Sequence, residues 1–398
     1  MSGIFSLSKN IKKFLYIFSV LLLINCGAIS TENPCDPSSN TFLNTQLLKF
    51  LLNDTSSTCG VAAVECGILK KGEAANIVIG QPDFVSNTAG TGDNQNQGAW
   101  GITVDNKGGL WIADTNVSRV LHFSVPQRTY QSADIILTDT FIVPRAIAAD
   151  AAGGLWVTSS TLSGNAVLHF PAGMSTGDLH DIMLGTGTLG ASINQVTNPF
   201  GVGVDPSGGV LVADYGANRI VHFSPPFTNS MNADFVLGQA NFTSASIGLS
   251  ANQMNGPMEV RADPSGKIWV SDRGNNRILR FSPPFISGMN ADLVLGQPDF
   301  VTSNFGTDAS TFSSPTGISF DLAGRVWIAD SSNSRALRFS PPFTNGMAAD
   351  NVIGKSDFIT NTNSGINAKE IGNTTSVAIA PCGLWVSDSS NNRVLFFP

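Results

Sequence analysis

Gly317-Ile-Ser-Phe-Asp321, Leu322-Ala-Gly324, Val326-Trp-Ile-Ala-Asp330, Arg335-Ala-Leu-Arg-Phe339, Ser340-Pro-Pro-Phe343 and Asp350-Asn-Val-Ile-Gly354 succeed one another along one stretch of this chain. The first, third, fourth and sixth pieces are short runs rich in apolar and β-branched residues, as half-buried strands require. Leu322 to Gly324 and Ser331 to Ser334 are polar or Gly-containing turns between them. The Pro-Pro pair cannot donate to a ladder and therefore stands beyond the third strand's end. The unit reads as a four-stranded antiparallel meander, with strands a to d.

The same unit recurs. Its b-strand pair appears as Leu110-Trp111, Leu155-Trp156, Val210-Leu211, Ile268-Trp269, Val326-Trp327 and Leu384-Trp385, at spacings of 45, 55, 58, 58 and 58 residues. Periods of this length with several strands each mean propeller blades or arrays. Fourth-strand motifs occur at Asn76 to Gly80, Asp134 to Leu137, Asp181 to Gly185, Asp234 to Gly238, Asp292 to Gly296 and Asp350 to Gly354. The first precedes any a-b-c set, and the last set, ending at Arg393 to Phe397, has none after it. Six sets and six d strands balance if Asn76–Gly80 pairs with Arg393–Phe397. The expectation is an all-β, six-bladed β-propeller of four-stranded antiparallel blades, closed by an N-terminal strand that leaves no free edge.

Pro-x-Gly-Ile, Asp-x-x-Gly, Trp-Val-x-Asp, Asn-Asn-Arg and Val-Leu-x-Phe, together with Pro283-Pro284-Phe285 and Val294-Leu295-Gly296-Gln297, resemble the NHL repeat over roughly residues 75–398. The resemblance implies a propeller. It implies no single activity, because propellers host many.

The 398 residues carry only 13% charged side chains and 25 Phe against three Tyr, about half the roughly 25% charge usual in soluble domains. A net charge of −7 offers no basic surface for phosphate backbones, so nucleic acid is not an expected partner. At the N-terminus, Lys9, Lys12 and Lys13 precede an apolar run from Phe14 to Ile24 that is suited to a signal h-region. Leu23-Ile24-Asn25-Cys26 resembles a relaxed lipobox of spirochaete lipoproteins. That resemblance implies a signal peptide over 1–25, lipidation of Cys26 and membrane attachment; an ordinary secretory signal is the alternative. Asn25 stands where Gly or Ala is usual, and Gly27 follows Cys26 where an inner-membrane retention signal often has Asp, which points to the outer membrane. Residues 26–74 read as a tether with a short amphipathic helix over Asn40 to Asp54, ahead of the propeller at 75–398. Cys35, Cys59, Cys66 and Cys382 remain as an even set, suggesting two disulfides with three possible connectivities.

Asp114, Asp214, Asp272, Asp330 and Asp388 are each followed five residues on by Arg119, Arg219, Arg277, Arg335 and Arg393, while blade two has Ser159 and no such Arg. Joint presence and joint loss read as exposed pairs bracketing the b–c turn. Asp105, Asp150, Asp205, Asp263 and Asp321 read as a–b turn formers. His122, His169 and His222 share one c-strand position on three blades, too far apart for one zinc ion, and read as polar residues on a half-exposed strand. Where strand a enters the central channel, the residue before the Gly position is Trp100, Arg145, Phe200, Met258, Thr316 or Thr375, and Glu259 replaces the Gly in blade four. This mixed ring either lines a channel-mouth pocket or plugs the channel. The long d–a loops share that face, each pinned by a recurring Phe84, Phe242, Phe300 or Phe358.

With no catalytic constellation recognisable and no cofactor expected, the leading expectation is a binding scaffold for a protein or small ligand at the cell envelope. The alternatives are a propeller hydrolase or lyase with a channel-bound metal, for which Glu259 is the ring's lone hard ligand, and a structural envelope protein.

Overall fold

The computed structural model describes residues 69–126, 128–139, 143–160, 165–362 and 365–398. The expected signal segment, most of the expected tether with its expected helix, and Cys26, Cys35, Cys59 and Cys66 lie outside the described residues. The described chain forms six four-stranded antiparallel sheets. In blade five the strands are Pro315–Phe320, Val326–Asp330, Arg335–Phe339 and Asn351–Ile353, in the a-b-c-d order read from the sequence. Its b–c hairpin pairs Val326 with Phe339 through to Asp330 with Arg335. A single 3-10 turn, Ser331–Asn333, reverses the chain, and Ser334 follows in the left-handed region at φ 54°. Asn fills that position in three of the other blades, Asn218, Asn276 and Asn392, as its short polar side chain tolerates φ > 0.

Neither face of a blade is left to water. Each of the six buried clusters draws from two adjacent sheets: Trp156 with Val212, Trp269 with Ile328, and Trp385 with Ile112 are examples. This is the nearest-neighbour burial that repeat architectures need. The ring closes where Ile77–Ile79 pairs antiparallel with Arg393–Phe397, with Ile77 opposite Phe396 and Ile79 opposite Val394. The six blades and the closing strand expected from the repeat count are therefore present.

The Asp–Arg pairs correct one expectation. They are not exposed: both side chains are fully buried in four of the five pairs, and Arg119 is 6% exposed. Their reach also exceeds the turn. In blade four, Asp272 Oδ2 accepts Arg277 Nε–H at 2.7 Å, while Oδ1 accepts the Asn255 backbone N–H. The guanidinium donates to the carbonyls of Leu249, Ser250 and Gln253 in the incoming d–a loop, and to Phe300 in the outgoing one. Arg219 and Arg335 repeat the pattern with the carbonyls of Phe242 and Phe358, and Arg393 reaches Phe84 across the closing seam. The recurring Phe positions thus pin the loops through their carbonyl oxygens. Blade two, with Ser159 opposite Ala166, lacks the clamp.

Removing one member of a buried pair strands the other's charge. Asp272→Ala is expected to cost about 3–5 kcal/mol of unfolding free energy, read by denaturant titration. A loss within about 1 kcal/mol, the range of an exposed pair, would mean that the clamp is not the structural element described here.

Candidate functional site

Strand a lines the channel in every blade, and the sequence-selected ring converges at its loop end. Trp100, Arg145, Phe200, Met258, Glu259, Thr316 and Thr375 all border one small cavity of about 20 Å³, roughly room for a single water. The end is closed because its residues pack on one another. Trp100 and Phe200 lie with ring centroids 5.6 Å apart. The Arg145 guanidinium stands 5.0 Å from the Trp100 ring and 5.2 Å from that of Phe200, a cation–aromatic sandwich. Tyr215, on the b–c turn of blade three, extends the group 4.9 Å from Phe200. Burial pulls the Arg145 pKa down. Its Nε donates to Ser160 Oγ at 3.3 Å, and no carboxylate among the described residues pairs with it.

The hydroxyls of the ring are spent on the frame. Thr375 Oγ1 donates to the Trp100 carbonyl at 2.8 Å, tying blade six to blade one, and Thr316 Oγ1 donates to Thr374 at 3.3 Å. Of the two readings left open for this ring, the packing matches the plug at its centre, while Trp100, Arg145 and Phe200 remain half-buried and reach the loop face.

Beneath the plug, Glu259 meets Arg261, with Nε to Oε1 at 3.6 Å. Burial pushes the Glu259 carboxyl up from its usual 4.5 to about 7, against the opposing pull of Arg261 and the Val260 N–H. The Arg261 side chain crosses the channel, donating from Nη1 to the Val202 carbonyl at 3.0 Å and from Nη2 to the Ile147 carbonyl at 3.2 Å. One side chain so links strands of blades two, three and four. On its far side the channel widens into a chamber of about 460 Å³ that opens at the a–b turns. Its walls include Val104, Val204, Phe320 and Ile379, with Asp205 and Asp263 near the rim.

A sequence model of the NHL repeat matches residues 96–123, which span strands a to c of blade one. This is an NHL-repeat propeller. Human NHL repeat-containing protein 3 is 28% identical over 135 residues, which is 33% of this chain and 35% of the human protein; the match therefore spans about a third of that relative's length. Among solved structures, an auxiliary nutrient binding protein from Bacteroides thetaiotaomicron covers 81% of this chain and 77% of its own at TM-score 0.51 and 10% identity, a likeness of fold alone. A catalytically inactive virginiamycin B lyase from Staphylococcus aureus covers 77% of this chain and 85% of its own at TM-score 0.46 and 15% identity, too loose to argue from.

In the NHL propeller the three histidines stay apart, each braced inside its own blade. His122 lies between Asp105 at 3.2 Å and Asp134 at 2.7 Å; His169 bridges Asp150 and Asp181, and His222 bridges Asp205 and Asp234. His122 and His222 are buried, which corrects the half-exposed reading. The a–b turn acids hold their turns as expected: Asp105 Oδ1 accepts the Lys107 and Gly109 N–H groups. Hydrogen bonds from His122, Gly109 and Lys107 outweigh burial and lower the Asp105 pKa. No group of three metal-ligating side chains occurs among the described residues. Cys382 is disulfide-bonded, and the other four cysteines lie outside the described residues.

The chamber and its arginine escaped the sequence reading. The available signal was Arg261 itself, the one charged residue in a strand-a position otherwise held by Thr103, Ala148, Gly203, Ser319 and Ala378.

Glu259 supplies a pH test. A carboxyl whose pKa rises on folding contributes stability that is full below the unfolded value and lost as pH climbs through the folded one. The stability of the wild type relative to Glu259→Gln is therefore expected to fall between pH 4.5 and above 7, by on the order of 3 kcal/mol. Urea titrations at pH 5 and pH 8 read the difference; a pH-independent gap would contradict the assignment.

Proposed function

We propose that this NHL propeller is a non-catalytic scaffold that recognises a protein partner across its loop face, held at the bacterial cell envelope by a lipid on Cys26. The observation carrying the reading is the placement of exposed apolar side chains. Of eleven large exposed hydrophobics among the described residues, seven lie on d–a loops: Val85, Leu189, Ile193, Ile247, Val301, Phe305 and Ile359. A single exposed apolar residue needs no explanation, but their concentration on one face points to contact with another molecule. The clamps fix the backbone of most of these loops, so little ordering cost accompanies binding. At the centre, Trp100, Tyr215 and Arg145 provide the residue types enriched at interface anchors. A closed throat favours a macromolecule over a ligand swallowed at that end.

Catalysis through a channel-held metal gains little from this donor set. Glu259 is the only carboxylate in the ring and already faces Arg261.

Both halves of the proposal are open to test. Cells fed radiolabelled palmitate are expected to label the wild type, with label and membrane retention lost in Cys26→Ala. Photo-crosslinking residues placed at Val301 and Ile359 are expected to trap a discrete protein adduct, and one at Leu322 on the a–b face is not. Arg145→Ala should weaken the adduct by about tenfold, as expected for a central anchor residue. Equal trapping from the two faces, or none from the loops, would overturn the loop-face reading.

A further inference from the structure

We infer that the chamber at the a–b end of the channel is a second binding site, built for a small amphipathic monocarboxylate. Its 460 Å³ falls within the roughly 300–1,000 Å³ of ordinary ligand sites, whereas the loop end of the same channel is filled by Trp100, Phe200 and Met258. The space is left by small residues, Ala149, Ala262 and Ala378 among them. At or next to the end of strand a stand Val104, Val204, Phe320 and Ile379, all half-buried against the chamber, which gives an apolar collar for a hydrocarbon body.

Arg261 supplies the polar end. It lies on the chamber side of the throat, while its partner Glu259 lies on the plug side. A guanidinium has five N–H groups. Two are donated to the Val202 and Ile147 carbonyls, and Nε–H faces Glu259. Two have no partner among the described residues, on a side chain that is still 16% exposed. Those carbonyl bonds hold the fork in place, so a carboxylate meets donors that are already ordered. A simple cross-brace would explain the two carbonyl bonds, but neither the cavity in front of them nor its apolar wall. Asp205 and Asp263 at the rim oppose ligands of high negative charge, such as nucleotides, and leave a single acid on an apolar body as the fitting class. This site is independent of the loop-face partner.

The test uses the full chain with decanoate as probe and decan-1-ol as its uncharged match, by ligand-observed NMR. Decanoate is expected to bind about tenfold more tightly than the alcohol, the gain of one charge-assisted contact. Arg261→Gln should erase that preference, Val204→Trp should weaken both ligands by narrowing the collar, and Leu179→Ala, at an exposed side chain on a c–d connection, should change neither. Equal binding of acid and alcohol by the wild type, absence of decanoate binding, or loss of the preference in Leu179→Ala instead of Arg261→Gln would each overturn the site. Should Arg261→Gln fail to fold, the acid–alcohol comparison and Val204→Trp still decide.

Discussion

The buried Asp–Arg pair at the b–c turn of every blade but the second is the contact on which the loop face rests. A propeller needs its sheets to stack, and apolar burial between blades supplies that without fixing any loop. The loops are long and polar, and their backbone groups require partners wherever they tuck against the blades. One guanidinium with five donors meets this need at several carbonyls at once, while its aspartate neutralises the charge and also caps the start of strand a. Burial pushes the Asp214 and Asp330 carboxyls up to about 6, still below neutral pH, so each remains charged against its arginine there. The arrangement trades the desolvation of two ions for a loop frame with little freedom left.

The two ends of the channel show how one scaffold yields unlike environments by local choice of side chain. Bulky Trp100, Phe200 and Met258 close one end around Arg145, while alanines near the other leave room. Between them Glu259 and Arg261 form an ion pair at the waist, in the only blade where the glycine of strand a gives way to an acid. The glycine in blade three, Gly201, sits where a Cβ would lie 2.6 Å from the Glu259 backbone, so neighbouring strands approach closely there and the acid is held tightly.

Periodic features were legible in the sequence. Blade number, strand order and the pairing of residues near Ile77 with those near Val394 follow from counting recurring apolar pairs and turns. The membership of the mouth ring was also readable, since repeat alignment superposes equivalent positions. What escaped was everything set by burial. Asp272 and Arg277 look like a surface pair when spaced five apart along a hairpin, because sequence does not reveal that loops from two connections fold over them. The same holds for His122, whose two aspartates come from different turns. Whether Trp100 and Phe200 line a pocket or fill it depends on ring-to-ring distances that no alignment contains. Arg261 was visible as an odd charge, but its reach to Ile147 and Val202 exists only once three blades stand side by side.

The seam between Ile77–Ile79 and Arg393–Phe397 sets the order of assembly. Hairpins within a blade form from neighbouring residues, yet the ring can lock only after its last strand has been synthesised and has found the first. Contacts between such distant segments form slowly because the intervening chain must first be brought to heel. A polypeptide with this architecture therefore stays unlatched until residues 393–397 exist, so that five blades can stand before the sixth shuts the circle.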